Sequence, residues 1–211
     1  MKEKLRPYIS YEDILRFLHY RQKEITPELY AQIDEALDIV FANASFREVH
    51  KKIPIKIRQQ TIYLPDQTAL PYPSLVELFS SCESIYVVAC TLGHDISRLI
   101  RREMAVDPSK GVMLDACASM VTDAFAAYIQ STLGYTTSRF SPGYCEVPLS
   151  TQPIFASLLE IEKRVGIHLT EGHLMVPEKS IIYLTGELDQ KDEREPLSCA
   201  KCQRDCIYRK V

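Results

Sequence analysis

The chain has 211 residues, and its 25 lysines and arginines against 28 aspartates and glutamates give a formal net charge of −3. This balance excludes the basic footprint of a nucleic-acid-binding protein, so we expect no nucleic-acid partner. No run reaches the roughly 18 apolar residues of a membrane helix, and the N-terminus lacks the apolar region of a signal peptide. We therefore expect no membrane partner, and the length suits one domain with a full core.

The cysteines indicate the redox compartment. Cys82, Cys90 and Cys117 lie in apolar segments, where reduced cysteine behaves as a small core residue. Because these positions favour reduced thiols, we expect a reducing, cytoplasmic location.

Two helix starts are readable in the first thirty residues. Ser10, with Asp13 three residues later, predicts the start of a first helix. Thr26 followed by Pro27 predicts the start of a second, because proline fits the first helical position. Apolar residues after each start recur at helical spacing, which predicts that both helices bury one face.

The chain then changes to the period of a strand. Val49, Ile53 and Ile55 alternate with other residues, which predicts a strand or hairpin with one buried face. Residues 84–90 form a continuous apolar run and predict a buried central strand. That strand runs through Thr91 into a predicted helix. Thr91 is therefore expected either at a ligand-binding edge or in an ordinary strand-to-helix turn.

The longest predicted helix covers about residues 108–133 and is apolar on nearly all sides, so we expect it to be buried. Asp115, Ser119 and Asp123 recur in it every four residues and form one polar stripe. A buried carboxylate is costly unless it is paired. The stripe is therefore expected to meet either solvent or a partner such as Arg139.

Residues 139–153 concentrate chemical groups: a guanidinium, a phenol, a thiol, a carboxylate and an amide. The stretch holds three prolines and a glycine, so it is neither a helix nor a central strand. Pro142 and Gly143 predict a turn. Two interpretations remain open: a rigid surface turn, or a loop that presents Tyr144 and backbone groups to a ligand.

The order of these residues adds a family resemblance. Residues 139–144, Arg-Phe-Ser-Pro-Gly-Tyr, resemble the Arg-Pro-Ala-Pro-Gly-Tyr loop in the reactivation (activation) domain of cobalamin (vitamin B12)-dependent methionine synthase. Residues 123–128, Asp-Ala-Phe-Ala-Ala-Tyr, are similar to that family's Glu-Ala-Phe-Ala-Glu-Tyr helix. Residues 158–171 are similar to its next helix and its Gly-x-x-Leu-Thr-Glu segment. The resemblance covers about residues 115–187, and small free-standing relatives of the domain are the more similar ones.

This resemblance implies an α+β fold, in which a twisted antiparallel sheet is flanked by helices. We expect one activation-domain-like domain over residues 1–187. Residues 188–211 are charged and lack periodicity, and are expected to form a cysteine-containing tail.

The resemblance also implies a function. The chain would hold S-adenosylmethionine against the corrinoid of a partner, where oxidised cobalamin is reduced by an electron donor and remethylated. It would thus serve the methionine synthase (methyltransferase) system of methionine biosynthesis without turning over alone, since the cofactor carries the chemistry. No catalytic residue is assigned, and the implied cofactor-binding residues are Asp123, Arg139, Ser141, Pro142, Gly143 and Tyr144.

One position departs from the family. Three residues before its helix glutamate, the family carries an arginine that helps to hold the ligand, and the matching residue here is Met120. Methionine cannot pair with a carboxylate. The alternative function is therefore a small-molecule-binding domain that no longer binds S-adenosylmethionine.

A second hypothesis comes from three tail cysteines, Cys199, Cys202 and Cys206. Thiolates at these spacings can reach one metal ion, and Cys145 or a histidine can complete a zinc or iron–sulfur site. This pattern predicts a metal- or cluster-bearing redox accessory protein, and free thiols are the other interpretation. Both functions can coexist, because corrinoid reactivation requires electrons.

Overall fold

A computed structural model of the protein describes residues 1–20 and 25–192. The helices are α1 (Lys2–Leu5), α2 (Tyr11–Phe17), α3 (Pro27–Asn43), α4 (Pro73–Leu78), α5 (His94–Val106), α6 (Pro108–Ser131), α7 (Gln152–Leu159) and α8 (Ile161–Val165), with 3₁₀ turns at Arg6–Tyr8 and Leu149–Thr151. The strands are β1 (Arg47–Pro54), β2 (Lys56–Arg58), β3 (Thr61–Tyr63), β4 (Ala69–Leu70), β5 (Ser84–Thr91), β6 (His168–Leu169), β7 (Met175–Val176) and β8 (Ser180–Gly186).

Side-chain caps explain where three of the helices begin. The Ser10 hydroxyl accepts a hydrogen bond from the Asp13 amide at 3.1 Å, and the Thr26 hydroxyl accepts one from the Leu29 amide at 3.3 Å. Asp107 accepts from two amides of the first turn of α6, at 3.1 and 3.2 Å. Each cap satisfies backbone donors that have no partner inside the helix. The predicted starts of these helices are confirmed.

The main sheet has the order β1-β5-β8, and both pairings are antiparallel. β5 is buried along its length, as its apolar run predicts. Its side chains alternate between two cores, with Val88 and Cys90 in the first and Val87 and Ala89 in the second. The sheet therefore separates two hydrophobic cores, because successive residues of a strand point to opposite faces.

Helices cover both faces of this sheet. The first core is filled from α1, α2, α3, α5 and α6, and the second from α4, α7 and α8. A small antiparallel sheet of order β2-β3-β4 packs on the second core. β6 and β7 form a short antiparallel pair. The α+β architecture with antiparallel sheets and flanking helices is confirmed.

α6 is the central helix of the first core. By length and composition it is a helix that can cross a membrane, with a mean hydropathy of 1.4 over its most apolar window. Within the described residues it is the one helix that passes this test, and 61% of that window is buried inside the protein. A core helix passes the same test, so its apolar composition is explained by its packing against α3 and α5.

The predicted core cysteines are confirmed. Cys82, Cys90 and Cys117 are buried and form no disulfide with the described residues. Burial raises the pKa of Cys90 and of Cys117 to about 12, so both stay protonated. Protonated buried thiols act as small apolar side chains and not as nucleophiles.

Three local features differ from the sequence prediction. α1 has no sequence signal that predicts it. The helical spacing of Ile154, Leu158, Ile161 and Val165 predicts a single helix after Thr151. That helix is broken at Glu160, whose φ of 51° is left-handed, so that α7 and α8 are separate. The sequence also predicts Thr151 as the cap of this helix, but its side chain accepts no hydrogen bond from the first turn of α7. Its hydroxyl donates to the Pro148 carbonyl at 2.9 Å.

Candidate functional site

The segment before the Pro-Gly turn lies along β8. The Thr137 amide donates to the Gly186 carbonyl at 2.9 Å, and Phe140 and Leu184 exchange two hydrogen bonds of 2.9 and 2.7 Å. These bonds extend the main sheet beyond β8. They fix Arg139 at the place where the sheet meets α6.

Arg139 and Asp123 form an ion pair between this segment and α6. Nη2 of the arginine lies 3.1 Å from Oδ1 and 3.3 Å from Oδ2 of the aspartate, and Nη1 donates to the Asp123 carbonyl at 3.3 Å. The arginine side chain is 25% exposed and the aspartate side chain 50%. The polar stripe thus meets the partner that the sequence suggested, and the carboxylate is the more accessible of the two groups.

Tyr183 of β8 supports Arg139 from within. The guanidinium carbon lies 5.8 Å from the centroid of the tyrosine ring, within the range of a cation–π contact. The Tyr183 hydroxyl donates to the Ala126 carbonyl of α6 at 3.1 Å. Burial raises the pKa of Tyr183 far above its usual range, so this donor keeps its proton. Arg139 is therefore held by α6 and by the sheet at once.

Lys179 forms a second ion pair on the same stripe. Its Nζ lies 2.7 Å from Oδ1 of Asp115 and donates to the Ser119 hydroxyl at 2.9 Å. Here also the cation is the more buried group, with Lys179 11% and Asp115 44% exposed. All three residues of the predicted stripe are thus placed on one face of α6, and two cations from distant parts of the chain neutralise it.

The Pro-Gly segment is a tight turn closed by its own backbone. The Gly143 amide donates to the Val147 carbonyl at 3.0 Å, and the Tyr144 amide donates to the Ser141 carbonyl at 3.3 Å. Gly143 has a φ of 94°, a conformation that residues with a side chain rarely adopt. Pro142 is buried. The turn is therefore rigid, and the amides of Gly143 and Tyr144 are used within it.

Tyr144 lies on the outside of this turn. Its side chain is among the most exposed aromatic groups in the described part of the chain, at 61%. Its ring meets that of Phe140 edge to face, with centroids 6.5 Å apart. The exposure of Tyr144 is compatible with both interpretations of the loop, a rigid surface turn and a ligand-presenting loop. The face of this ring is suited to stack against a flat or cationic ligand.

Met120 lies in the first core and is 2% exposed. A longer or charged side chain at this position would enter the core and not the polar stripe. The second cation of the stripe is Lys179 instead, which stands just before β8. The sequence alone indicates no role for Lys179, which lies just before β8, or for Tyr183 within β8.

Thr91 belongs to an internal hydrogen-bond network. It is fully buried, and its hydroxyl accepts from the Gly93 amide at 3.0 Å. The same oxygen lies 3.3 Å from the Lys179 carbonyl and 2.8 Å from the Ser180 hydroxyl. Of the two interpretations of Thr91, the structure supports the ordinary strand-to-helix turn.

Comparison with known proteins addresses the family resemblance. Residues 131–209 match the sequence model of the family described as vitamin B12 dependent methionine synthase, activation domain. The fold of this chain also matches a solved structure, the crystal structure of the MetH reactivation domain bound to AdoHcy, with a TM-score of 0.68 and 19% sequence identity. That likeness covers 87% of this chain and 75% of the other.

The chain has the reactivation-domain fold. The resemblance drawn from the sequence is therefore confirmed, and the region that matches the family includes the Arg139 loop. No curated protein is matched by the chain.

Within residues 1–20 and 25–192, no group of three or more histidine, cysteine or acidic residues is placed to hold a metal ion. Cys145 is partly exposed and forms no disulfide with the described residues. Cys199, Cys202 and Cys206 lie outside the described residues, so the metal site predicted for them stays a prediction.

Proposed function

We propose that this chain binds an S-adenosyl ligand at the Arg139–Asp123 pair. It would act as the reactivation module of a cobalamin-dependent methionine synthase or related corrinoid methyltransferase, or as a free-standing relative of that module. The ion pair carries this proposal, because it stands beside the Pro-Gly turn in a fold shared with a domain solved with AdoHcy. The family match over residues 131–209 supports the same function.

The ion pair offers one group for each charge of the ligand's amino-acid end. Arginine has five N–H donors, and Arg139 uses only part of them on Asp123. Its remaining donors suit a carboxylate, which the planar guanidinium can bind in a forked arrangement. Asp123 is half exposed and suits the ammonium group. A zwitterion can therefore bind without leaving either charge unpaired.

The exposed ring of Tyr144 offers a surface for the aromatic part of the ligand. Tyr144 follows the same turn and exposes its ring, while the turn itself is closed by internal hydrogen bonds. Such a rigid, exposed ring can stack on adenine or lie over the sulfonium at little entropic cost. Ser141, Pro142 and Gly143 shape the loop that holds this ring in place.

The protein's part in the reaction is to bind and orient. A partner's cobalamin, reduced by an electron donor, would supply the cobalt that accepts the methyl group of the sulfonium. Arg139, Asp123 and Tyr144 would fix the methionine and adenine ends of the ligand so that its methyl group faces that partner. Fixing both ends lowers the entropic cost of bringing the two reactants together. We place this activity in the cytoplasm, since the described core cysteines are reduced.

Calorimetric titration of the purified full chain tests the binding step. S-adenosylmethionine and S-adenosylhomocysteine should each bind at one saturable site. Absence of binding to both would contradict the proposal and favour the alternative of a small-molecule domain that has lost this ligand, as the loss of the arginine at Met120 suggests.

A reactivation assay tests the second step. An oxidised, inactive corrinoid methyltransferase supplied with reductant and S-adenosylmethionine should recover activity faster when this chain is added. Equal recovery without the chain would contradict the reactivation role and leave the binding step intact.

We also propose, from the cysteine spacing, that the tail binds zinc or an iron–sulfur cluster. Three thiolates within eight positions can supply the free energy that folds a short segment around a metal. An iron–sulfur cluster there would suit a module that works together with an electron donor.

A further inference from the structure

A cleft opens between the N-terminal segment and α3, away from the Arg139 site. Its volume is about 370 Å³. Small-molecule sites in proteins have volumes of about 300–1,000 Å³, so this cleft suits a small ligand. None of its lining residues belongs to the polar stripe or to the Pro-Gly turn.

The charged lining of the cleft is balanced. Lys2 and Arg6 come from the N-terminal segment, and Asp34 and Asp38 come from α3. The two carboxylates stand one helical turn apart and therefore on one face of α3. Two positive and two negative side chains give no net charge. Such a lining favours a dipolar ligand over a simple anion or cation.

Within residues 1–20 and 25–192, each carboxylate keeps one oxygen that makes no hydrogen bond or ion pair. Tyr11 donates to Oδ1 of Asp34, and Lys2 pairs with Oδ1 of Asp38. The hydrogen bond to Asp34 is the main reason that the pKa of Tyr11 is raised to about 12, so the tyrosine keeps its proton as a donor. Oδ2 of each aspartate remains for a cationic group, and Oδ1 of each is held in position.

Arg6 supplies the opposite charge. Within the described residues its guanidinium makes no ion pair and no hydrogen bond, although it lines the cleft. A surface arginine without a partner is common, but this one faces a cavity that also holds two carboxylates. A planar guanidinium is well suited to bind a carboxylate through two parallel hydrogen bonds.

The rest of the cleft is apolar. Ile9, Leu37 and Phe41 line it together with the ring of Tyr11. An apolar side chain placed there would be removed from water. The cleft thus combines a cation, two acceptors and an apolar wall in a volume that fits one small molecule.

We propose that this cleft binds a free α-amino acid with an apolar side chain. The ligand's carboxylate pairs with Arg6, and its ammonium lies between Asp34 and Asp38. Its side chain packs on Leu37 and Phe41. This site is independent of the S-adenosyl site, since the two share no residue.

Calorimetric titration with leucine and two analogues tests this proposal. Isoamylamine lacks the carboxylate of leucine, and 4-methylpentanoate lacks its ammonium group. Leucine should bind, and each analogue should bind at least about tenfold more weakly, because each leaves one charged wall unpaired. No heat with leucine, methionine or phenylalanine up to about 10 mM, or equal binding of an analogue, would overturn the proposal.

Two variants locate the leucine site. Arg6→Gln should weaken leucine binding at least about tenfold and leave the melting temperature unchanged, since Arg6 is exposed and makes no ion pair with the described part of the chain. Arg139→Ala should leave leucine binding unchanged. The opposite result, with Arg139→Ala and not Arg6→Gln abolishing leucine binding, would assign leucine to the other site and overturn the inference.

Discussion

The Nζ of Lys179 lies 2.7 Å from Oδ1 of Asp115, and the lysine is the buried member of this pair. Removing Asp115 and removing Lys179 therefore leave different charged groups without their counter-charge. Without Asp115, a buried ammonium loses its counter-charge. Without Lys179, a half-exposed carboxylate is left next to water. The second situation costs less, because water can solvate the remaining charge.

This difference in burial predicts which of two variants, Asp115→Asn or Lys179→Met, is the less stable. Asp115→Asn should lower the free energy of unfolding by about 1–3 kcal/mol, the cost of leaving a charged donor poorly satisfied. Lys179→Met keeps the apolar stem and should cost less. Urea denaturation of both variants measures the difference. A larger loss in Lys179→Met would show that the lysine contributes more than this pair.

Arg139→Ala separates binding from stability. The Arg139–Asp123 pair is partly exposed, and such pairs contribute about 0–1 kcal/mol, so the melting temperature should change little. If Arg139 binds the carboxylate of an S-adenosyl ligand, affinity for S-adenosylhomocysteine should fall at least about tenfold. Arg164→Ala, which removes an exposed pair with Glu160, is the matched control. Unchanged affinity in Arg139→Ala would reject the assigned role.

Alanine variants of Gly143 and Gly134 provide a second test with a matched control. Both have positive φ, 94° and 87°, and an added Cβ would meet no atom closer than 3.6 Å at Gly143 and none within 4 Å at Gly134. Replacing either glycine by alanine should therefore cost about 1–2 kcal/mol of backbone strain. Only Gly143→Ala should also weaken S-adenosylhomocysteine binding, measured by titration. Equal binding losses in both variants would mean that the turn has no special part in the site.

Glu187 predicts a pH dependence of stability. Its carboxylate accepts hydrogen bonds from Lys52 at 2.5 Å, Ser84 at 2.7 Å and Tyr86 at 3.4 Å. The bond from Lys52 is the main reason that the pKa of Glu187 lies below its ordinary value of 4.5. A carboxyl with a lowered folded pKa contributes stability above its unfolded pKa, and that contribution is lost as pH falls through the folded pKa.

Glu187→Gln should therefore be less stable than the parent chain at pH 7, and the difference should shrink as the pH falls below about 4.5 and vanish once the pH lies below the folded pKa of Glu187. Thermal melts across this pH range measure it. Glu171→Gln, at an exposed position, should show no such pH-dependent difference. A constant difference between Glu187→Gln and the parent at all pH values would contradict the electrostatic explanation.

The spacing of the three tail cysteines predicts that the purified protein contains a bound metal. Elemental analysis of protein purified without oxygen should find near-stoichiometric zinc or iron, lost in Cys199→Ser, because three thiolates at these spacings can bind one ion. Visible absorbance is expected for a cluster and none for zinc. Cys145→Ser tests whether the loop thiol is a fourth ligand. Metal-free protein whose tail thiols all react at once with a thiol reagent would exclude the site.

The sequence predicted the parts of this fold that depend on local chemistry. Caps at Ser10 and Thr26 and the apolar run of β5 are visible because each depends on residues close together in the chain. The four-residue spacing of the polar stripe also suggested its partner Arg139, since a carboxylate on a buried helix needs a counter-charge.

The features that the sequence did not predict depend either on contacts between residues far apart in the chain or on a rare backbone conformation. Lys179 is far from Asp115 along the chain, and no local pattern indicates that the two meet. The break at Glu160 requires a left-handed residue, for which glycine and not glutamate is the usual signal. α1 has four residues and no side-chain cap, so neither periodicity nor capping marks it.

β5 supplies side chains to both hydrophobic cores, alternating from one residue to the next. Neither half of the molecule can melt by itself without exposing the strand that the other half also needs. We therefore expect the two cores to unfold together, as one cooperative unit in a single transition. Arg139 is held both by α6 and by the sheet of that unit, so the geometry of the Arg139–Asp123 pair should persist up to the temperature at which the whole unit unfolds.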